Sequence, residues 1–156
     1  MTMERIASFQ VDHTKLKPGM YLSRRDGDVS TFDLRFKVPN TGDLLTNAEM
    51  HSVEHIIATL LRNSPQKDAV IYFGPMGCQT GFYVLLDSRQ LTDQQAVELV
   101  QTVFAQGAAY DGEMPGKSAA ECGNYGNLEV SLANAQCAFY RDVIRDWTEA
   151  DLRYEK

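Results

Sequence analysis

The chain has 156 residues, of which 44% are apolar and 23% charged, with a formal net charge of −6. That suffices for one domain with its own core and argues against disorder, while the acidic balance opposes a general nucleic-acid or anionic-membrane binder. No apolar run approaches the ~20 residues of a membrane span, residues 1–5 carry no hydrophobic signal segment, and three cysteines suggest reduced thiols in a cytoplasmic protein.

Phe32, Leu34 and Phe36 alternate with polar neighbours, the pattern of a half-buried strand, and Pro39-Asn40-Thr41-Gly42 ends it. Thr46-Asn47-Ala48-Glu49 has the form of a capping box. Val53, Ile56, Ile57, Leu60 and Leu61 then recur at helical spacing until Asn63-Ser64-Pro65 stops the helix. Residues 69–73 and 82–86 are β-branched and aromatic runs that read as strands, joined by the glycine-rich loop 74–81. A second helix starts near Thr92 and buries Ala96, Val100, Val103 and Phe104. After a turn-rich stretch from Tyr110 to Asn127, a last helix is expected to bury Leu132, Ala135, Phe139, Val143 and Trp147 on one face. Strands and helices alternate irregularly, which predicts an α+β fold: a single domain over residues 1–156, with a mainly antiparallel sheet and helices packed on one face.

His51-Ser52-Val53-Glu54-His55 is the most informative segment. On a helix, positions i and i+4 share a face, so His51 and His55 can present two imidazoles to one cation. Glu54, at i+3 from His51, lies near that face and can reach a metal-bound ligand without coordinating the metal. A solvated face with two chance histidines is the plain alternative, but the chain has only three His. A catalytic site usually needs a third ligand and an open position. Cys122, in the polar loop Glu121-Cys122-Gly123-Asn124-Tyr125, is the natural donor. Cys137 sits among Ala135, Ala138 and Phe139 and reads as core. Cys78, between Gly77 and Gly81, can be exposed by a tight turn and suits a reactive thiol, although packing against the sheet would also explain it.

Together, His-x-x-Glu-His at 51–55, Pro75-Met76-Gly77-Cys78-Gln79-Thr80-Gly81, Cys122-Gly123, Ser8-Phe9-x-x-Asp12-His13 and Phe32-Asp33-Leu34-Arg35-Phe36 resemble S-ribosylhomocysteine lyase, the family that makes the autoinducer-2 precursor. The resemblance spans about residues 6–145. It implies cleavage of S-ribosylhomocysteine to homocysteine and 4,5-dihydroxy-2,3-pentanedione, with one divalent metal per subunit held by His51, His55 and Cys122. In the family that metal is iron(II) in the cell and often zinc or cobalt in preparations. The resemblance also implies Cys78 and Glu54 as the proton-transfer pair, and Ser8, His13 and Arg35 lining a pocket where two subunits of a homodimer meet. Tyr72 and Gly74 depart from the family's Asp and Ser, and Gly126 to Ser131 is about two residues longer than in some members.

The chemistry suits these groups. The sugar carbonyl must migrate from C1 to C2 and C3 before the thioether at C5 can be eliminated. Each enolisation places negative charge on oxygen, which an open-site metal stabilises as a Lewis acid. Two neutral imidazoles and one thiolate leave that metal electrophilic. Two rival readings remain at this point. His-x-x-Glu-His is also the inverzincin metallopeptidase signature, although such an enzyme has no use for Cys78. A closed structural zinc site needs a fourth ligand, for which His13 would be the candidate.

Overall fold

Gly27, at φ 59°, opens a two-residue turn that folds two strands back on each other: β1 (Gly19–Asp26) and β2 (Val29–Arg35), paired antiparallel from Asp26↔Val29 to Gly19↔Arg35. The computed structural model describes residues 2–155. A second hairpin joins β3 (Val70–Pro75) to β4 (Gly81–Asp87), and β4 pairs antiparallel with β2, giving the sheet order β1-β2-β4-β3. Gly81 is required at the start of β4, because a Cβ there would lie 2.2 Å from the Leu34 carbonyl oxygen.

Among the described residues, four α-helices accompany the sheet: α1 (Ala7–Gln10), α2 (Asn47–Arg62), α3 (Asp93–Ala109) and α4 (Val130–Val143). The capping box expected at Thr46 is present, with the Glu49 amide donating to Thr46 Oγ1 at 3.1 Å and the Thr46 amide to Glu49 Oε1 at 2.8 Å. Thr92 and Gln95 start α3 the same way. Met50, Val53, Ile56, Ile57 and Leu61 form the buried stripe of α2, and α2, α3 and α4 pack on one another and on one face of the sheet. The core lies between, where Phe32, Leu34, Phe82 and Val84 meet Ile56, Phe104 and Tyr140. Burial of each such side chain stabilises by about 1.5–3 kcal/mol. The α+β, antiparallel architecture read from the sequence is therefore the observed one.

Two expectations need correction, and two elements went unread in the sequence. The strand around Phe32 is not half-buried. Phe32, Leu34 and Phe36 face the core, but Thr31, Asp33 and Arg35 on the opposite face are buried as well. That second face is covered by aromatic side chains from outside the helix layer, with Tyr154 stacked on Tyr21 at 4.9 Å and Trp147 set edge-on to Tyr21. The buried face of α4 is also displaced by about one residue from the expected one. Ala133, Cys137 and Tyr140 are buried, whereas Phe139 is 43% exposed. Small residues set this face, because Cys137 packs close to Gly107 of α3 and Tyr140 stacks on Phe36 at 4.3 Å. Trp147 lies beyond the end of α4, where its indole Nε1 donates to the Met20 carbonyl at 2.8 Å. Finally, β1 and α1 carried no clear periodic signal: the second half of β1 reads Ser-Arg-Arg-Asp and is an exposed edge.

Candidate metal centre

Among the described residues, His51, His55 and Cys122 are brought together with their ligand atoms all within 4.8 Å of one another. The histidines lie one turn apart on α2, with ring centroids 4.7 Å apart and planes at 88°. Cys122 arrives from the loop between α3 and α4, with its sulfur 3.3 Å from His51 Nε2. The loop is held there by the Cys122 amide donating to Ser118 O at 3.0 Å, Lys117 Nζ to Leu128 O at 2.7 Å, and the Glu129 amide to the buried Ser52 hydroxyl of α2 at 3.0 Å. The Asn124 amide donates to Cys122 Sγ at 3.4 Å and helps to fix the sulfur in place.

The donor set fits a divalent metal. Both imidazoles use Nδ1 away from the cluster, His51 toward Asn127 Oδ1 at 2.7 Å and His55 toward Pro115 O at 2.8 Å. That leaves both Nε2 atoms directed at the cluster, and ligand bonds of about 2.0–2.3 Å to a common ion fall within the observed spacing. Gly116 permits the approach of His55: it takes φ +72°, and a Cβ there would come within 3.0 Å of His55 Nδ1. Glu54, half-buried, lines a groove of about 360 Å³ with His55, Tyr72, Phe73, Pro115 and Gly116.

Cys78 lies elsewhere. It sits exposed in the β3–β4 turn, followed by Gln79 at φ 65°, a left-handed conformation uncommon for a non-glycine residue. Gln79 is held by two bonds to Leu45: its carbonyl accepts from the Leu45 amide at 2.9 Å, and its side-chain Nε2 donates to the Leu45 carbonyl at 2.9 Å. The Cys78 sulfur contacts Thr80 Oγ1 at 3.0 Å and Arg35 at 3.9 Å. Arg35 is only 3% exposed and is clamped by Asp33 through Nε at 3.1 Å and Nη2 at 2.6 Å. Burial alone would weaken the Arg35 cation, but the Asp33 carboxylate outweighs it and raises the guanidinium pKa. Tyr154, whose hydroxyl is kept protonated by burial and the Asp33 charge, donates to Asp33 Oδ2 at 2.7 Å.

Arg35 and Asp33 alternate with the core-facing Phe32, Leu34 and Phe36, so Arg35 and the sulfur beside it lie on the face of the sheet opposite the helix layer that carries the candidate ligand cluster. Ser8 lies on α1, and His13 Nδ1 is paired with the Val11 carbonyl at 2.9 Å. Neither is drawn to the cluster. Sequence reasoning did not single out Asn127, Pro115, Asp33 or Tyr154. A carbonyl and amides far along the chain have no spacing relation to the residues they orient, although Asp33, at i−2 from Arg35 in a strand, was legible as a same-face neighbour.

The sequence pattern described as LuxS S-ribosylhomocysteinase matches residues 6–151. The chain is 42% identical over 156 positions to the S-ribosylhomocysteine lyase of Finegoldia magna, and 46% identical over 158 positions to that of Desulfotalea psychrophila. It is 39% identical over 157 positions to that of Borreliella burgdorferi. Each match covers 97% of this chain and 99% of the relative. A full-length likeness of this degree, on a chain whose His-x-x-Glu-His helix closes with a distant cysteine into one ligand cluster, leaves no room for the peptidase reading: the chain belongs to the LuxS S-ribosylhomocysteinase family.

Proposed function

We infer that the chain cleaves the thioether of S-ribosylhomocysteine, releasing homocysteine and 4,5-dihydroxy-2,3-pentanedione, with the metal held by His51, His55 and Cys122. The observation that carries this reading is the convergence of those three donors, with Glu54 beside them in a groove, in a chain of this family. The bound metal supplies Lewis-acid stabilisation of negative charge on the sugar oxygens. An N₂S set with an open position accepts iron(II), cobalt and zinc, and iron(II) is the proposed ion in the cell.

Cys78 takes a proton from the sugar carbon and returns it one carbon along, and Glu54 moves protons between the sugar oxygens. After the carbonyl has reached C3, loss of the proton at C4 expels the homocysteine thiolate from C5. Arg35 faces the Cys78 sulfur at 3.9 Å as a fixed cation and borders the pocket. Ser8 and His13 are proposed to bind the polar ends of the substrate.

Within one chain the thiol and the ligand cluster lie on opposite faces of the sheet, which supports a homodimer whose site is completed between two copies. Mixing C122A and C78A proteins tests it. Each is inactive alone, and a shared site regains turnover in the heterodimer, where intact ligands meet an intact Cys78. No recovery in verified heterodimers removes the shared site. An exposed Cys78 and a thiolate ligand persist as thiols only in a reducing compartment, which fits action in the cytoplasm. Among the described residues, no helix is long and apolar enough to cross a membrane.

A further inference from the structure

The two ligand histidines are oriented by different kinds of partner. His55 Nδ1 faces a peptide carbonyl, Pro115 O, at 2.8 Å. A carbonyl only accepts, so Nδ1 carries the proton and Nε2 keeps its lone pair. His51 Nδ1 faces the side-chain amide of Asn127 at 2.7 Å. An amide has an acceptor at one end and donors at the other, so the end it shows decides the tautomer of His51. With Oδ1 toward the ring, Nδ1 is the N–H and Nε2 can coordinate; with Nδ2 toward it, the proton moves to Nε2 and the ligand is lost.

The other end of Asn127 is spoken for. Its Nδ2 donates to Asn47 Oδ1 at 2.7 Å. Asn47 is the first residue of α2 and stands four positions before His51, on the same helical face. Asn127 ends the 3₁₀ turn Tyr125–Asn127, five residues after Cys122. One short segment therefore both supplies the sulfur ligand and sets the ring of a histidine ligand.

We propose that Asn127 is a positioning residue that selects the metal-binding tautomer of His51 and thereby sets metal affinity. The inference rests on the reading of His51, His55 and Cys122 as the metal site. Loss of an outer-shell partner of this kind weakens metal affinity by about 10–100-fold. Aspartate at the same position accepts at both oxygens, so it cannot present a donor to His51 and holds Nδ1 as the N–H whatever Asn47 does.

The test is Co²⁺ binding to the metal-stripped full-length chain, followed by the sulfur-to-cobalt absorption band and by competition with a chromophoric chelator, with the melting temperature of each metal-free protein measured beside it. N127L is expected to bind Co²⁺ about 10–100-fold more weakly at an unchanged metal-free melting temperature, while N127D binds at least as tightly as the native chain. N127A, the smaller truncation, is expected to weaken Co²⁺ binding in the same range, and it carries the test if N127L does not fold. N127L or N127A binding like the native chain, or N127D as weak as N127L, each overturns the inference. A native chain that takes up no Co²⁺ overturns it together with the metal reading, whereas native uptake with unchanged variants overturns this inference alone.

Discussion

The helix face and the sheet face of this protein solve different physical problems. On the helix side, two imidazoles and a sulfur are held half-exposed by a carbonyl, an amide and loop hydrogen bonds, without an ion pair among their contacts. On the sheet side, Arg35 and Asp33 form a buried ion pair beside an exposed thiol, reinforced by Thr80 and Tyr154. A cluster awaiting a cation is best built from neutral or anionic donors. A proton-transfer thiol gains from a fixed positive charge, and that charge must itself be paired to be tolerated in the interior. The two faces should therefore fail separately.

The largest failure is expected on the helix side. C122A removes the proposed sulfur ligand, and both stoichiometric metal and turnover are expected to be lost, as read by metal analysis and thiol release; retained metal at full stoichiometry would exclude Cys122 from the ligand set. On the sheet side, C78A keeps stoichiometric metal while kcat falls by about 10²–10⁴-fold, the usual weight of a positioned acid or base. E54Q is expected to lose turnover in that same range with metal still bound, and near-normal turnover would remove Glu54 from the reaction. D33N leaves the Arg35 charge buried without its partner and costs about 3–5 kcal/mol in urea unfolding, with Co²⁺ affinity unchanged. A parallel loss of Co²⁺ affinity would show that the two faces are not independent.

The smallest effect concerns the third thiol. Burial pushes Cys137 from 9.0 up to about 12. The unfolded chain therefore releases this proton at a lower pH than the folded one. Its contribution to stability is full below about pH 9 and is lost as the pH rises toward 12, at up to about 1.4 kcal/mol per pH unit. C137A, or C137S, should flatten that alkaline slope in urea titrations without changing metal content; an unchanged slope would contradict the assignment.

Local rules made much of this molecule legible. The Thr46 capping box and the helix start read near Thr92 place α2 and α3 within a residue of their observed starts, and the i, i+4 histidines follow from helix geometry alone. Cys122 was legible as a donor in a polar loop, although nothing in its spacing placed it against α2. What escaped is what depends on the far side of the sheet. Strand β1 hides in a charged edge, and the burial of Arg35 depends on Tyr154 and Trp147, more than a hundred residues away, covering a face whose alternation predicted solvent. The face of α4 was misplaced because it is set by the close approach of Cys137 to Gly107, a contact that hydrophobic periodicity does not register.

The central claim is that a metal gripped by His51, His55 and Cys122 drives thioether cleavage. Incubating the protein with S-ribosylhomocysteine and titrating released thiol, with chelator and then with iron(II) or cobalt restored, tests it most directly. The account predicts one homocysteine thiol per substrate, abolished by metal removal and recovered on reloading. Thiol release that continues undiminished in the stripped protein would contradict it.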